Sequence, residues 1–315
     1  MKTEIYTYLT KPLLQQVKHF LQEGQLVAFP TETVYGLGAL FGHEEAKKAV
    51  YQVKNRPLDN PCIVHVASFA MSTIEPLTQL DPNHKAFLEK LGSFFPGPLT
   101  LILPAHPRIQ RHLGGKTTVA LRAPDHPLAL EILRTLKKPL IAPSANLSGK
   151  PSPTCAADVL HDLGGNIACI VDGGSCSIGL ESTVLDLTDS PRILRPGVIT
   201  KEALGKALSL DVKIALSDKG RSPGVAYPHY APNAQVVLFE NLKELDTFDP
   251  EETLLLSYKR ALFPRSCPFF KKNLYALFRK ADTLKKKTIG IYLDKTLLQE
   301  EDLMNRIEKA AISGR

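Results

Sequence analysis

Lys54 and Arg56 stand two residues apart in the stretch KNRPLDNP, with Asn60 close behind and prolines at 57 and 61. A planar guanidinium fork and a compact ammonium on one stiff segment suit an anionic ligand. Proline fixes φ and restrains the residue before it, so a ligand has less loop entropy to remove. The same stretch also reads as a plain connector. In that case Lys54 and Arg56 only complement the dipole of the helix they follow. The segment alone leaves both readings open.

A second stretch, SANLSGKPSP from Ser144 to Pro153, offers three serine hydroxyls, the amide of Asn146, a glycine and a lysine. Hydroxyls and exposed backbone N–H groups are common phosphate ligands, although an ordinary Ser/Pro turn has the same composition. Other polar residues gather where apolar runs end. VAFP gives way to TET, IVHVA contains His65, TVALRAP contains Arg122, PLIAP runs into Ser144, and IVDGG ends at Asp172. In open α/β sheets the crevice beyond the carboxyl ends of strands is where ligands bind. GGKTT, Gly114 to Thr118, resembles the end of a P-loop, but Gln110 stands where the first glycine is required, so a P-loop is excluded. No GxGxxG or GxSxG occurs.

The elements that must position these residues alternate. Helical spacing of Leu13, Val17, Phe20 and Leu21 predicts a helix from Thr10, with Pro12 in its first turn, to Gly24. QLVAFP and TVYGLGAL read as strands, HEEAKKAVYQV as a helix, and CIVHVA, PLTLILPA, TVALRAP, PLIAPSA, IACIVDGG and STVLDL as further strands. Helices are expected to start near Asp81, Asp125 and Thr154. This is an α/β pattern. If Lys54 and Arg56, which follow a helix, face the same crevice as the strand ends, some strands must run the other way, so the sheet is expected to be mixed. A Gly/Pro/Ser-rich stretch near 216–234 interrupts the pattern before QVVLFE, TLLLSY and TIGIYL resume it. The expected division is a large domain at 1–210, a linker at 211–234 and a small α/β domain at 235–315. The small one is near the size at which a core is marginal and is expected to dock on the large one.

The chain has 315 residues, 43% hydrophobic and 23% charged, a composition of globular domains with real cores. No apolar run reaches the ~18 residues of a membrane span, and the start lacks the apolar region of a signal peptide. A cytoplasmic location without membrane partners is the expectation. The five cysteines form no CxxC pair and are expected to be reduced; the nine histidines show no zinc spacing. The net charge of +7 points to an anionic ligand or partner. Ten Lys or Arg against one acid between Lys259 and Lys287 form either a solvated basic face or a footprint for weak RNA contact.

FPTETVYGLG, KNRPLDNPCIVHV, FFPGPLTLIL, VALRAP, APSANLSGKPSP, GLESTVLD and ILRPG occur in the order and rough spacing of the YrdC-like domain. SPGVAYPHYAP is similar to the linker of the longer, two-domain threonylcarbamoyl-AMP synthases, and DLMNRIEKAA to the close of their C-terminal domain. The resemblance implies a YrdC-like twisted mixed sheet flanked by helices, plus a small Rossmann-like domain. It implies the formation of threonylcarbamoyl-adenylate and pyrophosphate from L-threonine, bicarbonate and ATP with Mg2+. The adenylate would serve the enzymes that modify an adenosine next to the tRNA anticodon. The alternatives are an RNA-binding protein without catalysis and a carbamoyltransferase-type YrdC enzyme.

By the same resemblance, Lys54 and Arg56 are the catalytic residues. Thr33, His65, Arg122, Ser182 and the Ala142 backbone bind threonine, with Arg122 at its carboxylate. Arg56, Asn60, Thr118, Ser144, Asn146, Ser152, Arg195 and Tyr230 bind ATP, and no protein side chain holds a metal. The linker departs from the usual PGMKYRHYAP: Ala226 and Pro228 stand where cations are common, while Tyr227 and Tyr230 remain. The second domain is short for the family.

Overall fold

The computed structural model describes residues 2–215 and 230–313. The expectations for Ala226, Tyr227 and Pro228 lie outside the described residues. Among the described residues, eleven strands form one sheet: β1 (Glu4–Tyr6), β2 (Val27–Phe29), β3 (Gly36–Leu40), β4 (Val64–His65), β5 (Leu99–Pro104), β6 (Thr118–Arg122), β7 (Leu140–Ile141), β8 (Cys169–Val171), β9 (Thr183–Asp186), β10 (Arg192–Arg195) and β11 (Lys213–Ile214). Their spatial order is β1-β8-β2-β3-β7-β4-β6-β5-β9-β10-β11. The pairs β2–β3, β3–β7, β4–β7, β5–β6 and β9–β10 are antiparallel and the rest parallel, which makes the sheet mixed, as expected.

Both faces are covered, and the alternation of strand residues sorts them. Ala28, Leu37, Val64, Leu121 and Ile170 join one apolar cluster with Ala46 and Val50 of the helix Glu44–Lys54. Val27, Phe29, Ala142 and Val171 face the other way, against Val17 and Leu21 of the helix Lys11–Gln22 and Leu133 of the helix Pro127–Leu136. Further along that second face Ile63, Ala120 and Leu194 form a smaller apolar patch.

Helix starts follow the local chemistry. Thr10 caps the first helix through Leu13 N–H, and Asp81 with His84 forms a reciprocal cap on Pro82–Lys90. The helix expected near Asp125 begins at Pro127, after His126. Near Thr154 the helix begins at Ala156, and the Asp158 carboxylate in its first turn accepts from Thr154 N–H. TVYGLGAL is only partly strand. Thr31 Oγ1 donates to Val34 O and accepts from the Thr33 and Val34 N–H groups, folding residues 31–34 into a turn before β3.

The second sheet, β12 (Gln235–Phe239), β13 (Thr253–Tyr258), β14 (Cys267–Phe269) and β15 (Thr288–Tyr292), is wholly parallel in the order β12-β15-β13-β14. Phe269, Tyr275, Phe278, Ile289 and Ile307 form its core with the helices Leu274–Thr283 and Glu301–Ser313. Val34 and Leu180 of the large sheet's loops belong to this same core, so the small unit is docked. No helix among the described residues is long and apolar enough to cross a membrane.

Candidate functional site

Ile63 and His65 sit two apart on one strand segment and both line a single cleft, so the cleft lies over a face of the sheet. It is the face between the helix-covered apolar cluster and the second unit. The cleft holds about 650 Å³ of space free of atoms, open solvent at its mouth included. The expectation of a crevice beyond strand carboxyl ends needs correction. Antiparallel pairing brings residues from both kinds of end together: His65 and Arg122 close β4 and β6, whereas Glu181 and Ser182 precede β9.

His65 and Arg122 are register partners on parallel strands and stand side by side. Burial, and next the Arg122 charge, push the His65 pKa down to about 3, so its imidazole is neutral. Its Nδ1 lies 3.3 Å from Ile63 O; a proton there leaves Nε2 as an acceptor. Arg122 Nη2 is 2.8 Å from Glu32 Oε1, a buried ion pair. Neither that nitrogen nor either Glu32 oxygen is aligned for a hydrogen bond with any described residue. Glu32 thus fixes the Arg122 guanidinium at the cleft, where its planar fork can meet a ligand carboxylate. Ala142 lines the cleft, with its N–H held by Ile63 O at 2.9 Å. Thr33 and Ser182 are fully buried beside it: Thr33 Oγ1 shares a hydrogen bond with Thr31 Oγ1 at 2.8 Å, and Ser182 Oγ one with Thr100 Oγ1 at 2.7 Å.

The KNRP stretch divides its two cations. Arg56 lines the cleft and is held by Asn60 Oδ1 at 2.7 Å, Asn60 O at 3.1 Å and Pro61 O at 2.7 Å, which is the work the structure gives Asn60. Asn55, in the left-handed region at φ 50°, ends the preceding helix and turns the chain so that Lys54 and Arg56 diverge. Lys54 is buried behind the wall. Its Nζ donates to Ser144 O at 2.6 Å and to Asn146 O, stapling KNRP to SAN. Burial, and next the Arg56 charge, push its pKa down to about 7. Asn146 donates to Leu147 O and Lys150 O, each at 2.8 Å, while its Oδ1 is buried without a hydrogen-bond partner among the described residues.

At the far end of the cleft Ser152 Oγ donates to Glu181 Oε1 at 2.5 Å. Arg195 donates from Nε to Ser182 O and from Nη2 to Ser182 Oγ, both at 3.0 Å. Tyr230 is buried and contacts Arg195 through its phenol.

Of the residues singled out in the sequence, Arg56, His65, Arg122, Ala142, Ser144, Asn146, Ser152, Arg195 and Tyr230 therefore line one cleft. Lys54, Thr33, Asn60 and Ser182 stand directly behind them. Thr118 lines a neighbouring pocket with Lys47, His112 and Lys116. GGKTT runs into strand β6 and not into a helix, as the rejection of a P-loop requires. Sequence reasoning missed Glu32 and Glu181 as individual residues, although both lie inside quoted motifs. Of the basic segment, Lys259, Lys271, Arg279 and Lys287 are spent on ion pairs with Glu300, Asp302, Asp162 and Glu252.

A family model described as Telomere recombination, covering Sua5, YciO and YrdC, matches residues 19–197. A second, described as Threonylcarbamoyl-AMP synthase, C-terminal domain, matches residues 199–312. The threonylcarbamoyl-AMP synthase of Bacillus subtilis is 50% identical over 240 residues, 74% of this chain and 68% of that protein. The protein of that name from Schizosaccharomyces pombe is 36% identical over 365 residues, 96% of this chain and 89% of that protein. The crystal structure of P. abyssi Sua5 complexed with L-threonine matches with a TM-score of 0.87 at 34% identity, covering 100% of this chain and 98% of that one.

Proposed function

This chain belongs to the threonylcarbamoyl-AMP synthase family, and from that premise we infer how its cleft carries out the reaction. The enzyme makes threonylcarbamoyl-adenylate from L-threonine, bicarbonate and ATP. The observation that carries this reading is the convergence of three buried arginines, Arg56, Arg122 and Arg195, from three separate motifs on one cleft edged with hydroxyl, amide and backbone groups. Such a cleft suits a substrate set that brings negative charge at several points.

Threonine fits at the His65–Arg122 end. Its carboxylate meets the Arg122 guanidinium, which Glu32 holds in place through Nη2, with the Ala142 main chain beside it and Thr33 and Ser182 supporting the wall from behind. The threonine amine, once deprotonated, adds to bicarbonate carbon and water leaves, giving a carbamate. A carbamate oxygen then attacks the α-phosphorus of ATP, and the bond to the β-phosphate oxygen breaks to release pyrophosphate. Negative charge spreads over the carbamate, the α-phosphate and the leaving group, so catalysis is mainly positioning and electrostatic stabilisation. Arg56, Ser144, Asn146, Ser152 and Arg195 supply these contacts, and Tyr230 covers the nucleotide. Lys54 acts from behind by fixing the carbonyls of the SAN loop; Thr118 requires the triphosphate to extend toward the neighbouring pocket.

Magnesium, coordinated by phosphate oxygens, would neutralise charge on the triphosphate. Glu32 and Glu181, the carboxylates nearest the cleft, each face an arginine, so the metal would be held by the triphosphate and not by these side chains. The domain division at 1–210, 211–234 and 235–315, a cytoplasmic location, hand-over of the adenylate to tRNA-modifying enzymes and weak RNA contact through 259–287 complete the proposal. The test is pyrophosphate release from ATP. It should require both threonine and bicarbonate; release without either would overturn the reading.

A further inference from the structure

One polar network joins the two units through the cleft. Arg306, on the last helix, is fully buried and donates from Nε to Glu181 Oε2 at 2.9 Å. Tyr275, from the helix Leu274–Thr283, donates to the same oxygen at 3.0 Å. The third donor to this carboxylate is Ser152, from the large unit's cleft wall. Burial pushes the Glu181 pKa up, but Arg306, Arg195 and the hydrogen bonds outweigh it and hold it down at about 2. The Arg306 guanidinium also stands 5.3 Å from the centre of the Tyr230 ring, which stacks on Tyr275 at 5.6 Å. The backbone is shaped for this approach. Gly179 adopts φ +78°, and a Cβ there would lie 2.5 Å from Lys272 Cα.

We propose that Arg306 is a positioning residue for the nucleotide half of the cleft, acting through Glu181 and Tyr230, so that the site is complete only while the second unit is docked. The proposal rests on the reading of this cleft as the ATP site. Its partners separate it from an ordinary interface bond. The interdomain pair Lys201–Glu301 is exposed, and neither residue lines the cleft. The Arg306 network, by contrast, ends on Ser152 and Tyr230, which both line the cleft. Arg279 makes a parallel link by donating to Pro151 O at 2.6 Å, next to Ser152. The second unit thus grips the cleft wall at two neighbouring loops.

The test is steady-state kinetics and calorimetric ATP titration on the full chain. Removing one partner of a buried ion pair strands the other, so Arg306→Gln should raise the KM for ATP about 10- to 100-fold while that for threonine moves less than about 3-fold. Arg306→Lys should recover part of the loss. Tyr275→Phe removes one hydroxyl and keeps the ring; it should raise the KM for ATP about 3- to 10-fold and lower the melting temperature by only a few degrees, and it decides the matter if Arg306→Gln does not fold. Parallel rises for ATP and threonine, or wild-type ATP affinity in Tyr275→Phe, would overturn the coupling. Wild-type protein that fails to bind ATP would overturn the reading of the cleft itself; wild-type binding with an equally competent Arg306→Gln would overturn only this inference.

Discussion

Replacing Lys54 by Met separates two roles that the KNR motif could have. In the structure the Lys54 ammonium donates to Ser144 O and Asn146 O and does not line the cleft. Methionine fills similar space but donates nothing, so two buried carbonyls lose a donor. Each such loss costs about 1–3 kcal/mol, and the two together roughly 2–6 kcal/mol. For a unit of this size 1 kcal/mol corresponds to about 2–4 °C, so at high pH, where Lys54 is neutral in both folded and unfolded chains, the melting temperature should fall by roughly 5–20 °C, and by less at neutral pH, where the variant escapes the cost of burying the charge. The freed SAN loop should raise the KM for ATP by about 10-fold with little change for threonine. Stability should also lose a pH dependence. The folded pKa of Lys54, about 7, lies below its ordinary 10.5, so between these values the unfolded chain binds more protons. Wild-type stability therefore rises with pH across that window and is lower by a constant amount below it; Lys54→Met should flatten the rise. Calorimetry across pH 6–11 with parallel kinetics would check this. A variant that melts within a degree of wild type yet has lost turnover would refute the staple and place Lys54 on the substrate.

Arg122→Ala should weaken threonine binding by about 10- to 150-fold, the worth of a charge-assisted hydrogen bond, and ATP binding less, as read by calorimetric titration; unchanged threonine affinity would move the carboxylate elsewhere. The Glu181 pKa is about 2 against an ordinary 4.5, so its contribution is full above pH 4.5 and lost as pH falls through 2. That amounts to about 3 kcal/mol, and acid titration of wild type against Glu181→Gln should show the loss in wild type alone. Tyr230→Ala removes the stack on Tyr275 and the contact with Arg195; the KM for ATP should rise with threonine affinity retained, and a fully active variant would remove Tyr230 from the site.

The mixed sheet was legible because cations after a helix and polar groups after strands can meet only if strands run both ways. The helix starts at Thr10 and Asp81 were legible from capping chemistry, which is local. The strands β1, β11 and β14 were not, because each has only two or three residues and depends on pairing with a distant partner, as β1 does with β8. The different fates of Lys54 and Arg56 were also hidden. Spacing cannot show that Asn55 takes a left-handed turn between them. Glu181 was not singled out, although it lies inside GLESTVLD. Its logic lies in Arg306, 125 positions away in the chain.

The most direct measurement is mass spectrometry of the product formed from ATP, L-threonine and 13C-bicarbonate. The account predicts one adenylate that carries the threonine mass and a single 13C, formed in step with pyrophosphate. It also predicts that Arg56→Ala and Arg122→Ala each sharply reduce that product. An unlabelled adenylate, or labelled product formed at wild-type rate when both arginines are gone, would contradict it.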